Sequence, residues 1–275
     1  MNGFKTSAAV VLMALLLAAG CSSDEQKKQA HLAKGQAYFE KGEYKAAKIE
    51  LKNAIQIDPK FVAAHMRLAE TSLKLGEAQE AFRAYSSVAE LEPGNTEAQL
   101  KLATFLMLAQ KFDESRKRVD GILEREPNHI EALLLQAALL DHEKDLFEAG
   151  NVFRKVIDIN GRESRAYLGL ARVLAQQGKS EEAERVLLQV LAVEPASIKN
   201  RLAVFSFYVG QRKFEKAEEH IKQAVAEHPG DAELLITQGN FYLGLKKIEA
   251  AEAAYRKAAE ADPGSSKPFM VLAGF

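Results

Sequence analysis

The 275-residue chain contains a single cysteine, Cys21, and no tryptophan. One cysteine excludes an intramolecular disulfide and any multi-cysteine metal site. No two of the six histidines stand three or four residues apart on a predicted helix, as a metalloprotease motif requires. A glycine-rich phosphate loop and a nucleophile elbow are also missing. We therefore expect no catalytic residues, no metal, no cofactor and no small-molecule substrate, and we predict that the chain is not an enzyme.

A large excess of charge of one sign is lacking as well. Lysine and arginine number 37 and aspartate and glutamate 38, so there is no basic footprint and nucleic acid is not expected as a partner. Hydrophobic residues make up 47% of the chain and charged residues 27%, which predicts a folded body.

What the chain does contain is a unit that recurs at a fixed interval of 34 residues. Each unit closes on a pair of residues that ends a helix, because proline cannot continue a helix and disfavours helical geometry in the residue before it. In one unit glycine stands in place of proline and stops the helix by another route. The closing pairs are Asp58-Pro59, Glu92-Pro93, Glu126-Pro127, Asn160-Gly161, Glu194-Pro195, His228-Pro229 and Asp262-Pro263.

Small side chains recur where two helices must approach closely, and larger apolar side chains fill the gaps between helices. The twentieth position of the unit carries Ala47, Ala81, Ser115, Ala149, Ala183, Ala217 and Ala251. The twenty-fourth position carries Leu51, Tyr85, Val119, Phe153, Leu187, Ile221 and Tyr255.

This pattern resembles the tetratricopeptide repeat, which pairs two antiparallel helices in 34 residues. The resemblance implies an all-α solenoid of antiparallel helix pairs that forms a right-handed superhelix of about seven and a half repeats over residues 28–275. The repeats start near residues 28, 62, 96, 130, 164, 198 and 232, with a truncated eighth at 266. The tryptophan often found at the fourth position of the motif is replaced by His31, His65, Gln99, Leu133, Tyr167, Arg201, Leu235 and Phe269.

Residues 1–20 have the build of a secretory signal, with one lysine near the start and an apolar run of about a dozen residues, whereas a membrane span needs roughly 20. Residues 17–21, Leu-Ala-Ala-Gly-Cys, resemble the bacterial lipobox. The resemblance implies a lipoprotein signal peptide over residues 1–20, lipidation at Cys21 and a short polar tether over residues 21–27. The alternative is ordinary secretion with a free thiol.

Residues Ser22 and Ser23 follow the cysteine and lack the aspartate that tends to retain Gram-negative lipoproteins at the inner membrane. For a Gram-negative source, we therefore expect an exported bacterial lipoprotein in the outer membrane, facing the periplasm and held there by its N-terminal lipid.

In tetratricopeptide arrays, the second, fifth, ninth and twelfth positions of the first helices line a concave groove. Here the fifth position is apolar in every repeat and the twelfth in all but one, which favours a groove for an extended peptide or an amphipathic helix of a protein partner. The alternative is that the leucines pack against neighbouring first helices. The predicted groove residues are Leu32, Phe39, Met66, Leu73, Leu100, Met107, Leu134, Leu168, Arg172, Leu202, Ile236 and Asn240.

Charged groove positions change sign along the array. Glu97, Glu131 and Asp141 make the middle acidic, and Arg165, Arg172 and Lys199 make the next units basic. The alternative is a solvated surface of mixed charge.

The final fragment, residues 266–275, places Phe269 and Met270 at core-facing positions of a first helix with no second helix to pack on. A terminal repeat normally acts as a polar cap, so this fragment predicts that the array continues. A frayed tail at a true terminus is the alternative.

Three functions follow from these features. The first is a membrane-anchored scaffold, because the lipobox, the tether and the first unit resemble the N-terminal part of tetratricopeptide lipoproteins of exopolysaccharide and exosortase (PEP-CTERM) systems. The second is a pilotin-like lipoprotein for type IV pilus or secretin assembly. The third is the docking portion of a larger enzyme.

Overall fold

The computed structural model describes residues 24–275, and within that range the fold is all-α, as the repeat pattern predicts. The predicted signal peptide and Cys21 lie outside the described residues. The helices are α1 (residues 24–40), α2 (Tyr44–Ile57), α3 (Val62–Lys74), α4 (Ala78–Leu91), α5 (Thr96–Leu108), α6 (Phe112–Leu123), α7 (Ile130–His142), α8 (Leu146–Ile159), α9 (Ser164–Gln176), α10 (Ser180–Val193), α11 (Ile198–Gly210), α12 (Phe214–Glu227), α13 (Ala232–Gly244), α14 (Ile248–Ala261) and α15 (Ser266–Gly274).

The helices form two compact units, one ending at Leu135 and the other beginning at Gln136. In the first unit, α3 packs on α4 and α5 packs on α6. In the second, the packed pairs are α9 with α10, α11 with α12, and α13 with α14. Each unit therefore consists of helix pairs in a helical solenoid. No helix in the described range is long and apolar enough to cross a membrane.

The start of α1 differs from the sequence expectation. Residues 24–27, assigned to the tether, are helical. Lys27 Nζ lies 3.1 Å from Asp24 Oδ1, and Lys28 Nζ lies 2.6 Å from Glu25 Oε2. Side chains three residues apart are neighbours on a helix surface, so these ion pairs favour the additional helical turn.

The turn within each pair places its second residue, the fifteenth of the repeat, in the left-handed region. Glycine occupies this position in three repeats: Gly42, Gly76 and Gly178. In the other four repeats a residue with a side chain adopts a backbone φ between 57° and 67°: Gln110, Lys144, Arg212 and Lys246. In every case the next backbone N–H donates to a carbonyl five residues earlier, as Glu43 does to Tyr38 at 2.9 Å. This is the Schellman motif, which satisfies carbonyls left open at a helix end.

Close packing inside the pairs explains the small residues. Every side chain at the twentieth position is fully buried, including the hydroxyl of Ser115, which donates to the Ala103 carbonyl at 2.8 Å. At the eighth position, a Cβ on Gly35 would stand 2.8 Å from Leu51 Cγ, and a Cβ on Gly239 would stand 2.4 Å from Tyr255 Cε1. The large residue at position twenty-four thus fills the space left by the residue at position eight.

The turn between repeats is held by the side chain at the fourth position. Gln99 Nε2 donates to the Pro93 carbonyl at 3.1 Å, and Tyr167 OH donates to the Gly161 carbonyl at 3.1 Å. Arg201 Nη2 donates to the Pro195 carbonyl at 2.9 Å, and His65 Nε2 lies 2.9 Å from the Pro59 carbonyl oxygen. Four different side chains therefore reach the equivalent turn carbonyl, six residues before each of them.

Candidate partner-binding surface

The twelve predicted groove residues, called here the first-helix surface, differ widely in exposure. In the first unit, Leu32 is only 8% exposed, whereas Leu73 is 41% exposed. Intermediate exposure is found for Phe39, Met66, Leu100, Met107 and Leu134. Leu32 therefore packs within the array, and Leu73 presents most surface to a partner.

Phe39 and Met66 pack against the buried cluster formed by Leu32, Leu51 and their neighbours. The Phe39 ring also meets Tyr44 edge-on at a centroid distance of 5.3 Å, and the Arg67 guanidinium lies 4.9 Å from the Phe39 centroid. These contacts orient the Phe39 ring while leaving part of it at the surface.

In the second unit, Leu168 and Leu202 are partly exposed and Ile236 is buried. Arg172 is exposed and forms an ion pair with Asp141, one repeat earlier. Asp141 is only 9% exposed, so the pair neutralises a carboxylate that would otherwise be buried without compensation. Arg172 therefore has a positioning role within the array as well as an exposed face.

Asn240 is exposed, and its Oδ1 accepts a hydrogen bond from Tyr255 OH at 2.8 Å. Leu243, three residues further along α13, is 42% exposed. The amide nitrogen of Asn240 is thus available to a partner on the first-helix surface, and Leu243 adds an exposed apolar side chain on the same helix.

The predicted change of charge sign is partly compensated inside the array. Arg165 Nε lies 2.7 Å from Glu163 Oε1, and the Arg165 guanidinium holds the pKa of Glu163 below its usual value. Together with the Asp141–Arg172 pair, this contact leaves less uncompensated charge on the surface than the sequence suggests.

Sequence periodicity missed two strongly exposed apolar side chains. Leu108 on α5 is 74% exposed, and Phe147 at the start of α8 also lies at the surface, yet neither occupies a first-helix surface position. Periodicity identifies the face of a helix, whereas exposure also depends on the neighbouring repeat. Among the described residues, no group of three or more histidine, cysteine or acidic side chains is arranged to hold a metal ion.

Comparison with known families matches the repeat pattern along the chain. Family models described as "Tetratricopeptide repeat" match residues 72–139, 142–200 and 208–266. A further model, described as "TPR repeat", matches residues 35–76. A search of the curated proteins finds no significant match.

Solved structures share the fold at low sequence identity. A tetratricopeptide repeat protein from Parabacteroides merdae has a TM-score of 0.72 at 22% identity, covering 90% of this chain and 98% of that one. PilW, described as a widely conserved type IV pilus biogenesis factor, has a TM-score of 0.65 at 18% identity, with coverages of 76% and 97%. The Cut9–Hcn1 structure of the APC/C has a TM-score of 0.60 at 18% identity, with coverages of 75% and 41%.

Proposed function

The chain belongs to the tetratricopeptide-repeat family, and we propose on this basis that it is a non-catalytic scaffold that binds protein partners through its first-helix surface. The observation that carries the proposal is the exposure of apolar side chains at the twelfth repeat position, where Leu73 in the first unit is 41% exposed and Leu243 in the second is 42% exposed. Exposed apolar side chains on the first helices suit an amphipathic helix or an extended peptide.

We further propose that the scaffold is anchored in the bacterial outer membrane, facing the periplasm, by lipid on Cys21. Support comes from the lipobox-like residues 17–21 and from the serines that follow them. The resemblance of this N-terminal region and the first repeat to large tetratricopeptide lipoproteins supports a place in exopolysaccharide export or in exosortase (PEP-CTERM) sorting of surface proteins.

A pilotin-like role in type IV pilus or secretin assembly is the second candidate. PilW shares the fold over 97% of its own length, and its description as a pilus biogenesis factor motivates this alternative. Isolation of the chain from envelope extracts separates the two: a co-isolated secretin would favour the pilotin-like role, and co-isolated export or sorting proteins would favour the scaffold.

The anchor is tested by immunoblotting inner-membrane, outer-membrane and soluble fractions, with labelled palmitate as a second readout. We expect the wild type in the outer-membrane fraction with label, and the Cys21→Ala variant without label. Wild-type protein in the soluble fraction would contradict the anchor and the localisation.

The partner surface is tested by capturing envelope proteins with Leu73→Glu. A charge at this position should reduce capture at least tenfold, because it places an ion in an apolar contact. Leu108→Glu is the matched control, since Leu108 is more exposed and lies off the first-helix surface. Circular dichroism checks that both variants fold. Equal capture by both variants would show that the surface is wrongly assigned.

A further inference from the structure

A cleft of about 470 Å³ in the first unit lies outside the first-helix surface, between the turn after α4 and the second helix of the next repeat. Three cationic side chains line it, and none of the described residues in its lining is acidic. The lining residues are Pro93, Gly94, Gln99, Lys117, Arg118, Gly121 and Arg125.

The two guanidinium groups in this cleft are held by neutral acceptors. Arg118 Nη1 donates to Gln99 Oε1 at 2.6 Å. Arg125 donates from Nε to the Gly121 carbonyl at 3.0 Å and from Nη1 to the Gly94 carbonyl at 2.9 Å. Amide and carbonyl oxygens orient a guanidinium without cancelling its charge.

None of the three cations forms an ion pair with a carboxylate anywhere in residues 24–275. Other cations of the same unit are neutralised in the fold, since Arg67, Lys48 and Lys111 each pair with a glutamate. Arg118 retains Nε and Nη2, Arg125 retains Nη2, and Lys117 retains its whole ammonium group for a ligand.

The second unit contains a related cleft of about 510 Å³ that also includes the residue at the fourth repeat position, there Tyr167. Its lining carries Arg154 together with Asp158, so positive and negative groups face the same space. The concentration of unpaired positive charge is therefore not a general consequence of the repeat geometry.

We propose that the cleft formed by Lys117, Arg118 and Arg125 binds a phosphate group of a phosphomonoester ligand. A planar guanidinium matches the oxygen spacing of phosphate, and two oriented guanidinium groups with one ammonium suit a dianion better than a single carboxylate. The absence of a side chain at Gly121, where an added Cβ would meet nothing within 4 Å, leaves the approach to the helix backbone open. The volume accommodates the phosphate and part of the group that carries it.

The phosphomonoester could belong to a small soluble molecule or to a phospholipid headgroup, and two assays distinguish these sources. The first titrates glycerol 3-phosphate into the full chain in chloride buffer and follows the backbone amides of Gly94 and Gly121 by NMR. The second measures sedimentation with phosphatidylcholine vesicles that contain or lack phosphatidic acid. Any N-terminal lipid contributes equally to both vesicle types, so the difference between them reports the headgroup.

We expect saturable binding that weakens at higher ionic strength, and at least a tenfold loss of affinity in the Arg118→Gln, Arg125→Gln double variant. Lys117→Gln provides a second variant that leaves the fold intact, because the Lys117 side chain is exposed and forms no hydrogen bond or ion pair in the described range. Lys101→Gln, an exposed lysine outside the cleft, is the control.

Binding of glycerol 3-phosphate that is lost in the cleft variants and kept in Lys101→Gln supports the proposal with a soluble ligand. Binding confined to phosphatidic acid vesicles, with the same sensitivity, supports it with a lipid headgroup. No binding in either assay, or an equal loss in Lys101→Gln, would overturn it. These outcomes do not depend on capture of a protein partner by the first-helix surface.

Discussion

The carboxylate of Glu184 on α10 lies 2.8 Å from the ammonium group of Lys213. Lys213 is the last residue of the turn that connects α11 and α12 in the next repeat. Glu184 also accepts hydrogen bonds from Lys216 at 2.7 Å and from Tyr208 OH at 3.0 Å. One repeat later, Glu218 pairs with Lys247 at 2.6 Å. The contact joins position twenty-one of one repeat to position sixteen of the next.

The same positions are joined in the first unit with the charges exchanged. Lys48 occupies position twenty-one, and it pairs with Glu77 at 2.5 Å and also with Glu80. Position twenty-one can carry either a negative or a positive charge, as long as position sixteen of the next repeat carries the opposite one. We infer that this ion pair stabilises the packing of successive repeats rather than binding a ligand.

Glu184 should make stability dependent on pH. Its cationic and hydroxyl partners lower the pKa of Glu184 from 4.5 to about 2. A lowered pKa in the folded state contributes stability that is complete above pH 4.5 and is lost as pH falls from 4.5 towards 2. We expect Glu184→Gln to lower the free energy of unfolding at pH 7 by about 1 to 2 kcal/mol, allowing for screening by solvent.

Urea titrations at pH 7 and pH 3 measure this effect. The difference between wild type and Glu184→Gln should shrink at the lower pH, because the Glu184 carboxyl of the unfolded chain is then protonated and folding has to release that proton. Glu181→Gln on the same helix is the control, since Glu181 is exposed and forms no ion pair in the described range. A difference that is the same at both pH values would contradict the assignment.

Two glycines on α13 should respond oppositely to alanine. A Cβ on Gly239 would stand 2.4 Å from the Tyr255 ring, whereas a Cβ on Gly244 meets nothing within 4 Å. We expect Gly239→Ala to cost about 1 to 3 kcal/mol through overpacking. Gly244→Ala should raise the free energy of unfolding by about 0.5 kcal/mol, since alanine favours the helix. Thermal denaturation of both variants measures the contrast, and a loss in Gly244→Ala would show that its surroundings are tighter than described.

The sequence predicted the all-α fold because the helix-ending pairs and the small residues recur in phase. It did not predict the left-handed turn residue, because glycine occupies that position in only three repeats and Gln110 or Lys246 serves elsewhere. The hydrogen bonds from the fourth repeat position to the turns between repeats were not predicted from the sequence either. His65, Gln99 and Tyr167 share no obvious chemistry in sequence, yet each side chain reaches the turn carbonyl that stands six residues before it.

The exposure of the first-helix surface residues could not be predicted from sequence periodicity either. Helix periodicity places the fifth and twelfth positions on one face of a first helix, but Leu32 at the fifth position is 8% exposed and Leu73 at the twelfth is 41% exposed. Exposure is decided by the size and packing of side chains in the adjacent helices, and one helix's periodicity carries no information about these.

The left-handed turn residues give a third prediction. Lys246 has φ of 58°, a conformation that costs a residue with a Cβ about 1 kcal/mol. Lys246→Gly should therefore raise the free energy of unfolding by about 0.5 kcal/mol after the entropic cost of glycine. Gly178→Ala, at φ of 78° in the equivalent turn, should lower it by about 1 kcal/mol. Urea denaturation measures both changes, and changes of the same sign in the two variants would contradict the argument.

The tyrosines at position twenty-four provide a matched pair for the last prediction. Tyr255 OH donates to Asn240 at 2.8 Å, whereas the buried Tyr85 OH has no hydrogen-bond partner among the described residues. Burial raises the pKa of Tyr85 to about 12, as expected for a hydroxyl in apolar surroundings. Tyr255→Phe should cost about 1 kcal/mol, because it removes a satisfied hydrogen bond.

Tyr85→Phe should leave the free energy of unfolding unchanged or raise it by up to about 1 kcal/mol, because it removes a buried polar group that gains nothing from the fold. Chemical denaturation of the two variants under identical conditions compares them directly. A loss in Tyr85→Phe as large as that in Tyr255→Phe would mean that the Tyr85 hydroxyl is satisfied in solution. If only Tyr255→Phe is destabilised, then the Tyr85 side chain stabilises the fold through packing of its ring alone. The hydroxyl group at this repeat position then contributes to stability only where a hydrogen-bond acceptor lies opposite it, as Asn240 does for Tyr255.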